Sequence, residues 1–363
     1  MSLNFDVHRN PQPRSAEQRN AILANPGFGT RFTDHMAVAT WTAVDGWHDS
    51  AVVPYAPFQL DPAAAILHYA QGVFEGLKAY RHPDGSIWLF RAEENAKRFQ
   101  NSARRLGLPE LAVDDFLGSI QALVRADREW VPDPAGGEAS LYLRPFMFAS
   151  EAFLGVRAAH HVTYSLIASP AGAYFASGVK PVSIWITTKY SRAGAGGTGA
   201  AKCGGNYASS LLAQEEAARN DCAQVLFADA GSHEFVEELG GMNIWFVRDG
   251  ELVTPALTGS ILEGVTRSSI LTLAAQRGLR PVERAVGLAE LLEGIADHSI
   301  TEVFACGTAA VITPIGRFAD ESGRDYTVGD GHVGPHTAGL RQSLLDVQFG
   351  RAEDTQGWLT RIA

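Results

Sequence analysis

Short apolar runs separated by glycine- and proline-marked polar breaks recur along the chain, and most are too short to be helices. Met36–Val44, Leu77–Tyr80, Ile87–Phe90, Ser140–Phe148, His161–Ala168 and Val182–Thr188 are rich in β-branched and aromatic residues and predict strands. Asp45-Gly46 and His82-Pro83-Asp84-Gly85 supply the turns of two hairpins. Helical spacing covers 63–70, with Pro62 ahead of it, then 91–106 and Asp114–Arg128. Farther on, a strand at Gln224–Ala228, a hairpin over Met242–Val253 turning at Asp249-Gly250, and strands at Thr301–Ala305 and Ala309–Ile315 alternate with helices. Those helices run from Ala208 to near Asn220, from Leu262 to Arg277 and from His336 to Phe349. Residues 1–26 carry Pro11, Pro13 and Pro26 and predict an extended arm. Strands and helices mixed without repeats describe an α+β protein.

A chain of 363 residues is long for one core, so two domains are expected. The segment Ser169–Gly178 holds a proline, two glycines and no apolar period, which makes it the candidate linker. The division that follows is a smaller N-terminal domain at 1–170, a linker at 171–181 and a larger C-terminal domain at 182–363.

One stretch has no explanation in core packing. Between Gly194 and Tyr207 six of fourteen residues are glycine, and Lys202 sits among them. Glycines let a backbone approach a ligand closely. The chain has five lysines against twenty-five arginines, so Lys202 does not come from a surplus of surface ammonium groups. An amine that attacks a carbonyl must be lysine, because arginine keeps its proton. The spacing matches neither a P-loop nor a dinucleotide fingerprint. A flexible surface loop and a lysine beside a phosphate-bearing cofactor both remain open on this stretch alone.

The ordered motifs go further. Gly-Gly-Thr-Gly-Ala-Ala-Lys202-Cys-Gly-Gly-Asn-Tyr207 resembles the lysine segment of the branched-chain amino acid aminotransferases, pyridoxal 5'-phosphate enzymes of fold type IV. Further matches stand at 28–36 (Phe-Gly-Thr-Arg-Phe-Thr-Asp-His-Met), 67–80, 141–145 (Leu-Tyr-Leu-Arg-Pro), 237–243 (Glu-Glu-Leu-Gly-Gly-Met-Asn), 262–267 and 306–310. The resemblance implies a two-domain fold like that of D-amino acid aminotransferase, with the cofactor at the domain interface. It implies reversible transamination of L-leucine, L-isoleucine and L-valine with 2-oxoglutarate through a Schiff base on Lys202, within branched-chain amino acid biosynthesis.

Carried over residue by residue, the resemblance makes Lys202 the catalytic amine and places Arg98, Tyr207, Glu238, Val265, Thr266 and Thr308 on the cofactor. Arg98 read by itself is a solvated surface group; the family's Asn-x-x-Arg segment implies a phosphate contact. Glu237 and Glu238 read by themselves are a solvated acidic pair, and on a strand only one of them can face a cofactor ring. The family match selects Glu238 for the pyridine nitrogen. Tyr207 resembles the partner of the phenolic oxygen, and the phosphate falls to Arg98, the Val265 and Thr266 N–H groups and Thr308. Phe28, Tyr69, Phe74 and Tyr174 would line the substrate pocket, with Thr308 and Ala309 beside it and Tyr142 and Arg144 available for a distal carboxylate. Tyr69 and Phe74 are expected from the partner of a homodimer or from the smaller domain. The chain departs from the animal enzymes at Gly241, where they carry threonine, and at Ala310 and Thr313, where some carry a redox Cys-x-x-Cys pair.

Composition narrows the alternatives. With 46% hydrophobic and 19% charged residues the chain is a well-buried globular protein. A formal charge of −10 disfavours nucleic acid and anionic membranes. Three cysteines without paired spacing, histidines without metal spacing and no apolar leader point to the cytoplasm and to no metal. The rivals are another fold-type-IV enzyme, such as a D-amino acid aminotransferase or an aminodeoxychorismate lyase, and a phosphate-ligand binding protein without catalysis. The former are shorter and lack the 28–36 motif.

Overall fold

The computed structural model describes residues 2–134, 137–172 and 179–363. Two compact units divide the chain: Met1–Ala176 with Ala201–Gly204 and Asp346–Ala363, and Ser177–Ala200 with Gly205–Leu345. Each has its own sheet, and helices and strands are mixed in both, the α+β class expected.

In the first unit a sheet runs in the order Asp6–Val7, Gly46–Pro54, His35–Thr42, His161–Ala171, Ser140–Ala149, Leu77–Arg81, Ile87–Phe90 and Leu359–Arg361, with Gly72–Phe74 also on Ser140–Ala149. The spine is the antiparallel pair Ser140–Ala149 and His161–Ala171, in register from Ser140↔Ala171 to Ala149↔Val162. Ladder pairing thus carries the strand through Ser169, Pro170 and Ala171, which the composition assigned to the start of the linker. Residues 173–178 of that linker lie outside the described residues. Helices Ala92–Arg105 and Val113–Ala126 supply the core: Phe99 packs 5.4 Å from Phe116 and 6.0 Å from Tyr164, centroid to centroid, and the Tyr164 hydroxyl bonds Ser119 Oγ at 2.8 Å.

The N-terminal segment is more ordered than its prolines suggested. Helix Ala16–Ala24 begins at a capping box, Ser15 accepting from the Gln18 N–H while the Gln18 side chain accepts from the Ser15 N–H. Ahead of it, the Asn10 N–H donates to His35 Nε2 (2.9 Å), and His35 Nδ1 meets Asp127 at 2.6 Å. That pairing sets the imidazole tautomer and ties the segment to the helical layer.

Two backbone contacts explain why Ala201–Gly204 and Asp346–Ala363 group with the first unit, where the sequence division counts them in the C-terminal domain. Cys203 forms a bridge to Val73, and Leu359–Arg361 pairs antiparallel with Ile87–Phe90.

The second unit's sheet runs Val236–Leu239, Gln224–Ala228, Val182–Thr187, Val311–Asp320, Ile300–Gly307, Asn243–Arg248, Glu251–Pro255 and Arg280–Arg284, with Asp325–Thr327 on Val311–Asp320. Ile184, Leu226, Ile244, Phe246, Val303 and Phe318 fill its core under helix Leu288–Ala296. Val182–Thr187 and Gln224–Ala228 are parallel, so a long crossover must join them, and that crossover carries the glycine-lysine stretch. The helix expected from Ala208 onward is two pieces, Gly204–Ala208 and Leu211–Arg219. Ser210 Oγ donates to the Tyr207 carbonyl at 2.7 Å, a local bond that competes with the helix at the break. The polar stretch after Ala228 contains strand Val236–Leu239, buried throughout although two of its four residues are glutamate.

Phe99, with no exposed surface, sets the expected cost of damage to the first core. Phe99→Ala should lose about 3–5 kcal/mol in urea denaturation. Val44→Ala, on a side chain 91% exposed, should change stability by less than about 0.5 kcal/mol.

Candidate active site

Lys202 is held by its backbone. Its N–H donates to Ser102 Oγ (2.9 Å) on helix Ala92–Arg105, and its carbonyl accepts from the Phe74 N–H (3.0 Å). Bound on both sides, the residue has little backbone freedom, and its Nζ lies 5.2 Å from the centre of the Phe74 ring. Cys203 beside it is buried in the first core, as a packing residue would be.

Besides Ser102, the buried face of helix Ala92–Arg105 includes two larger polar side chains, Asn95 and Arg98. Both turn to Glu75, which has no exposed surface. Arg98 engages the carboxylate side-on, Nε to Oε1 at 2.7 Å and Nη2 to Oε2 at 2.9 Å; Asn95 Nδ2 and the Gly76 N–H add bonds of 2.8 and 3.0 Å to Oε2. Burial alone would raise the Glu75 carboxyl, but the charge and hydrogen bonds of Arg98, then Lys202 and Asn95, hold it below its ordinary value. Sequence reading missed Glu75. The available signal was an arginine and an asparagine on the apolar stripe of a helix, which require a buried acid somewhere else in the chain.

Of the predicted substrate residues, four gather in this unit. The Phe28 and Tyr142 rings meet edge to face at 5.0 Å, and the Arg144 guanidinium lies over Phe74 (4.8 Å) and Tyr142 (5.4 Å), with Nη2 3.0 Å from the Tyr142 hydroxyl. That hydroxyl occupies the space a Cβ on Gly76 would need, so glycine there permits the arrangement. Tyr69 stands apart: it is exposed, its hydroxyl donates to the Leu154 carbonyl, and it lines a cavity of about 300 Å³ whose described lining includes no other predicted residue. Tyr174 lies outside the described residues.

In the second unit Glu238, Tyr207 and the start of helix Val265–Gln276 lie along Glu238–Asn243. Glu238 is buried and surrounded by donors: Arg192 Nη1 at 2.9 Å and the Leu262 N–H at 2.9 Å on Oε1, Asn243 Nδ2 at 3.4 Å on Oε2. That is the donor set of an ionised carboxylate. Arg192, 2% exposed at its side chain, also donates to the Gly199 and Ser260 carbonyls and was not singled out from sequence. Helix Val265–Gln276 starts at Gly264, where a Cβ would overlap Asn243 Oδ1, so the helix start that presents Val265 and Thr266 is drawn in against Asn243. Tyr207 Cε1 lies 3.8 Å from where a Gly241 Cβ would be, an ordinary contact, so a Cβ fits at that position.

Thr308, Ala309 and Ala310 form the tight turn between Ile300–Gly307 and Val311–Asp320. It closes with Val311 at φ 63°, a left-handed backbone that β-branched residues avoid, so the strain of the turn sits at Val311 and is held by the surrounding sheet. Cys306 ahead of it receives the Trp245 indole N–H at 3.3 Å, and burial pushes its thiol up to about 12, which leaves it unreactive as a thiolate.

Each unit offers groups that suit pyridoxal 5'-phosphate by their chemistry. The first has an amine at Lys202 and a guanidinium at Arg98, and the second a carboxylate among donors at Glu238 and a helix N-terminus at Val265.

Residues 72–318 match the family described as amino-transferase class IV. The chain is 56% identical over 359 residues to the probable branched-chain-amino-acid aminotransferase of Streptomyces coelicolor, covering 99% of each chain. Among solved structures it resembles the branched-chain amino acid aminotransferase of Escherichia coli, at 29% identity and a TM-score of 0.74, over 90% of this chain and 100% of that one. The branched-chain amino acid aminotransferase of Thermobaculum terrenum, solved in its PLP-form, gives 26% identity and a TM-score of 0.71 over 90% of this chain and 98% of that one. The chain belongs to the class IV aminotransferases and, within them, to the branched-chain-amino-acid aminotransferase family.

Proposed function

We propose that the protein transfers the amino group between L-leucine, L-isoleucine or L-valine and 2-oxoglutarate, using pyridoxal 5'-phosphate bound through Lys202. The observation that carries this reading is the lysine itself, fastened at both backbone groups beside the Glu75–Arg98 pair and the aromatic set of Phe74, Phe28 and Tyr142. When bound, the cofactor supplies a carbonyl for the amine and a ring that accepts the electron pair left at the substrate Cα.

The chain's residues then divide the work. Lys202 Nζ anchors the cofactor and, once released, takes the proton from the substrate Cα. Glu238, oriented by Arg192 and the Leu262 N–H, faces the protonated ring nitrogen, and Tyr207 donates to the phenolic oxygen. Arg98, the Val265 and Thr266 N–H groups and Thr308 hold the phosphate; a helix start contributes up to about 2 kcal/mol in partly buried geometry. Phe28, Phe74 and Tyr174 exclude water around the aliphatic side chain, with Thr308 and Ala309 on the substrate's other side. Arg144, bonded to Tyr142, takes the distal carboxylate of glutamate. Leucine, isoleucine and valine differ by so little apolar surface that discrimination stays within about 1–3 kcal/mol.

The reading includes a homodimer in the cytoplasm. Leu67, Tyr69, Leu154 and Val156 are exposed apolar residues of the first unit, with Val156 at 88%, and suit burial by a second copy that borrows Tyr69 for its own site. All three cysteines are free and buried, as a reducing compartment favours.

Lys202→Ala should lower transamination of leucine by at least about 10²–10⁴-fold and prevent borohydride from fixing the cofactor to the chain. Cofactor attached by borohydride at another position would overturn the assignment. Glu75→Gln leaves Arg98 buried without its counter-charge, so it should weaken cofactor binding in a fluorescence titration and cost about 3–5 kcal/mol in denaturation at neutral pH. Because the native Glu75 pKa is lowered, its contribution is fully present above the ordinary carboxylate value of 4.5 and is lost as pH falls below it; the Gln variant should lack this part of the acid dependence in parallel melts.

A further inference from the structure

Strand Val236–Leu239 carries two adjacent buried glutamates whose side chains leave by opposite faces. Glu238 is accounted for above. Glu237 is not: it is only 8% exposed, its Oε1 accepts from the Ser260 hydroxyl, and among the described residues its Oε2 has neither a hydrogen-bond donor nor a cation. The nearby Arg192 guanidinium is committed to Glu238 and to two carbonyls.

The carboxylate lines a cavity of about 320 Å³ within the second unit, the lower end of the range for small-molecule sites. Its walls are mostly apolar, with Phe235, Val236, Pro255, Ile261 and several alanines. Among the described residues no lysine, arginine or histidine lines it. The second acid in the lining, Asp229, is bonded to the N–H groups of Gly231, Ser232, Glu234 and Phe235 and to the Ser232 hydroxyl, but to no cation among the described residues. The cavity therefore combines negative potential with greasy walls. Burial, with the Asp229 charge behind it, raises the Glu237 carboxyl above its ordinary value, against the opposing pull of the Ser260 hydroxyl and the Arg192 charge.

We propose that this cavity is a binding site for a small organic ammonium ion, its N–H on Glu237 Oε2 and its apolar body against Phe235 and Ile261. An amino acid does not suit the site, because its carboxylate would face two acids. A divalent metal does not suit it either: such ions take six or more oxygen ligands, Asp229 spends its oxygens on its own turn, and no group of three metal-ligating side chains exists among the described residues. The site is distinct from the residues assigned to the cofactor, since Glu237 and Glu238 leave the strand in opposite directions.

The test is calorimetric titration of the cofactor-loaded enzyme with N,N-dimethylbenzylammonium, a tertiary amine that keeps one N–H but cannot condense with a carbonyl. Saturable binding at millimolar ligand or below is expected, with benzyl alcohol, leucine and potassium failing to compete. Glu237→Gln should weaken it at least tenfold. Ala285→Trp, which fills the cavity from an exposed lining position and does not touch the buried carboxylate, should abolish it even if the Gln variant folds poorly. No saturable binding, affinity unchanged in the Trp variant, equal affinity for benzyl alcohol, or full competition by potassium would each overturn the proposal.

Discussion

A carboxylate with no exposed surface is tolerable only where cations and donors meet it, and Glu75 makes that demand on everything around it. Arg98 and Asn95 must stand one turn apart on the buried face of their helix, which sets how helix Ala92–Arg105 rotates against the sheet. The same helix gives Ser102 to the Lys202 N–H, so the rotation also places the lysine. One buried charge thus governs a helix, an arginine expected to hold phosphate and the amine expected to do the chemistry.

The second unit repeats the device with different parts. Glu238 is clasped by Arg192, whose Nη1 also bonds the Ser260 carbonyl, and the loop holding Ser260 returns a backbone N–H from Leu262 to the same carboxylate. Close packing of this loop leaves no room for a side chain at Gly199, where a Cβ would overlap the Ser260 carbonyl. Glycine at 199 therefore answers to backbone proximity, and the freedom it lends the chain is used up in the folded state. The strained backbone at Val311, which closes the turn carrying Thr308 and Ala309, is likewise held by the sheet around it.

Much of the fold was legible because hydrophobic period and turn chemistry are local signals. The hairpins at Asp45-Gly46 and Asp249-Gly250, the helices at Ala92–Arg105 and Pro335–Gln348 and the long strands appear within a few residues of their expected bounds. Elements were missed where local signals were weak or overridden. Helix Ala16–Ala24 was hidden among prolines although Ser15 and Gln18 spell its cap, and strand Val236–Leu239 was hidden by its glutamates, whose burial depends on partners far away in sequence. Short edge strands such as Arg280–Arg284, polar and starting Arg-Pro, carry almost no period to read.

By itself the sequence determined the chemistry on offer: a lone lysine in a glycine-rich stretch, an acid pair before Met242-Asn243, and motifs in an order that marks the aminotransferase family. Those are properties of residue type and spacing, and they survive without coordinates. Only the tertiary structure decided which charges answer which, giving Glu75 to Arg98, Arg192 to Glu238, and leaving Glu237 facing a cavity. Pairing of buried charges is a long-range matter, set by which faces of distant elements are pressed together, and no local period encodes it.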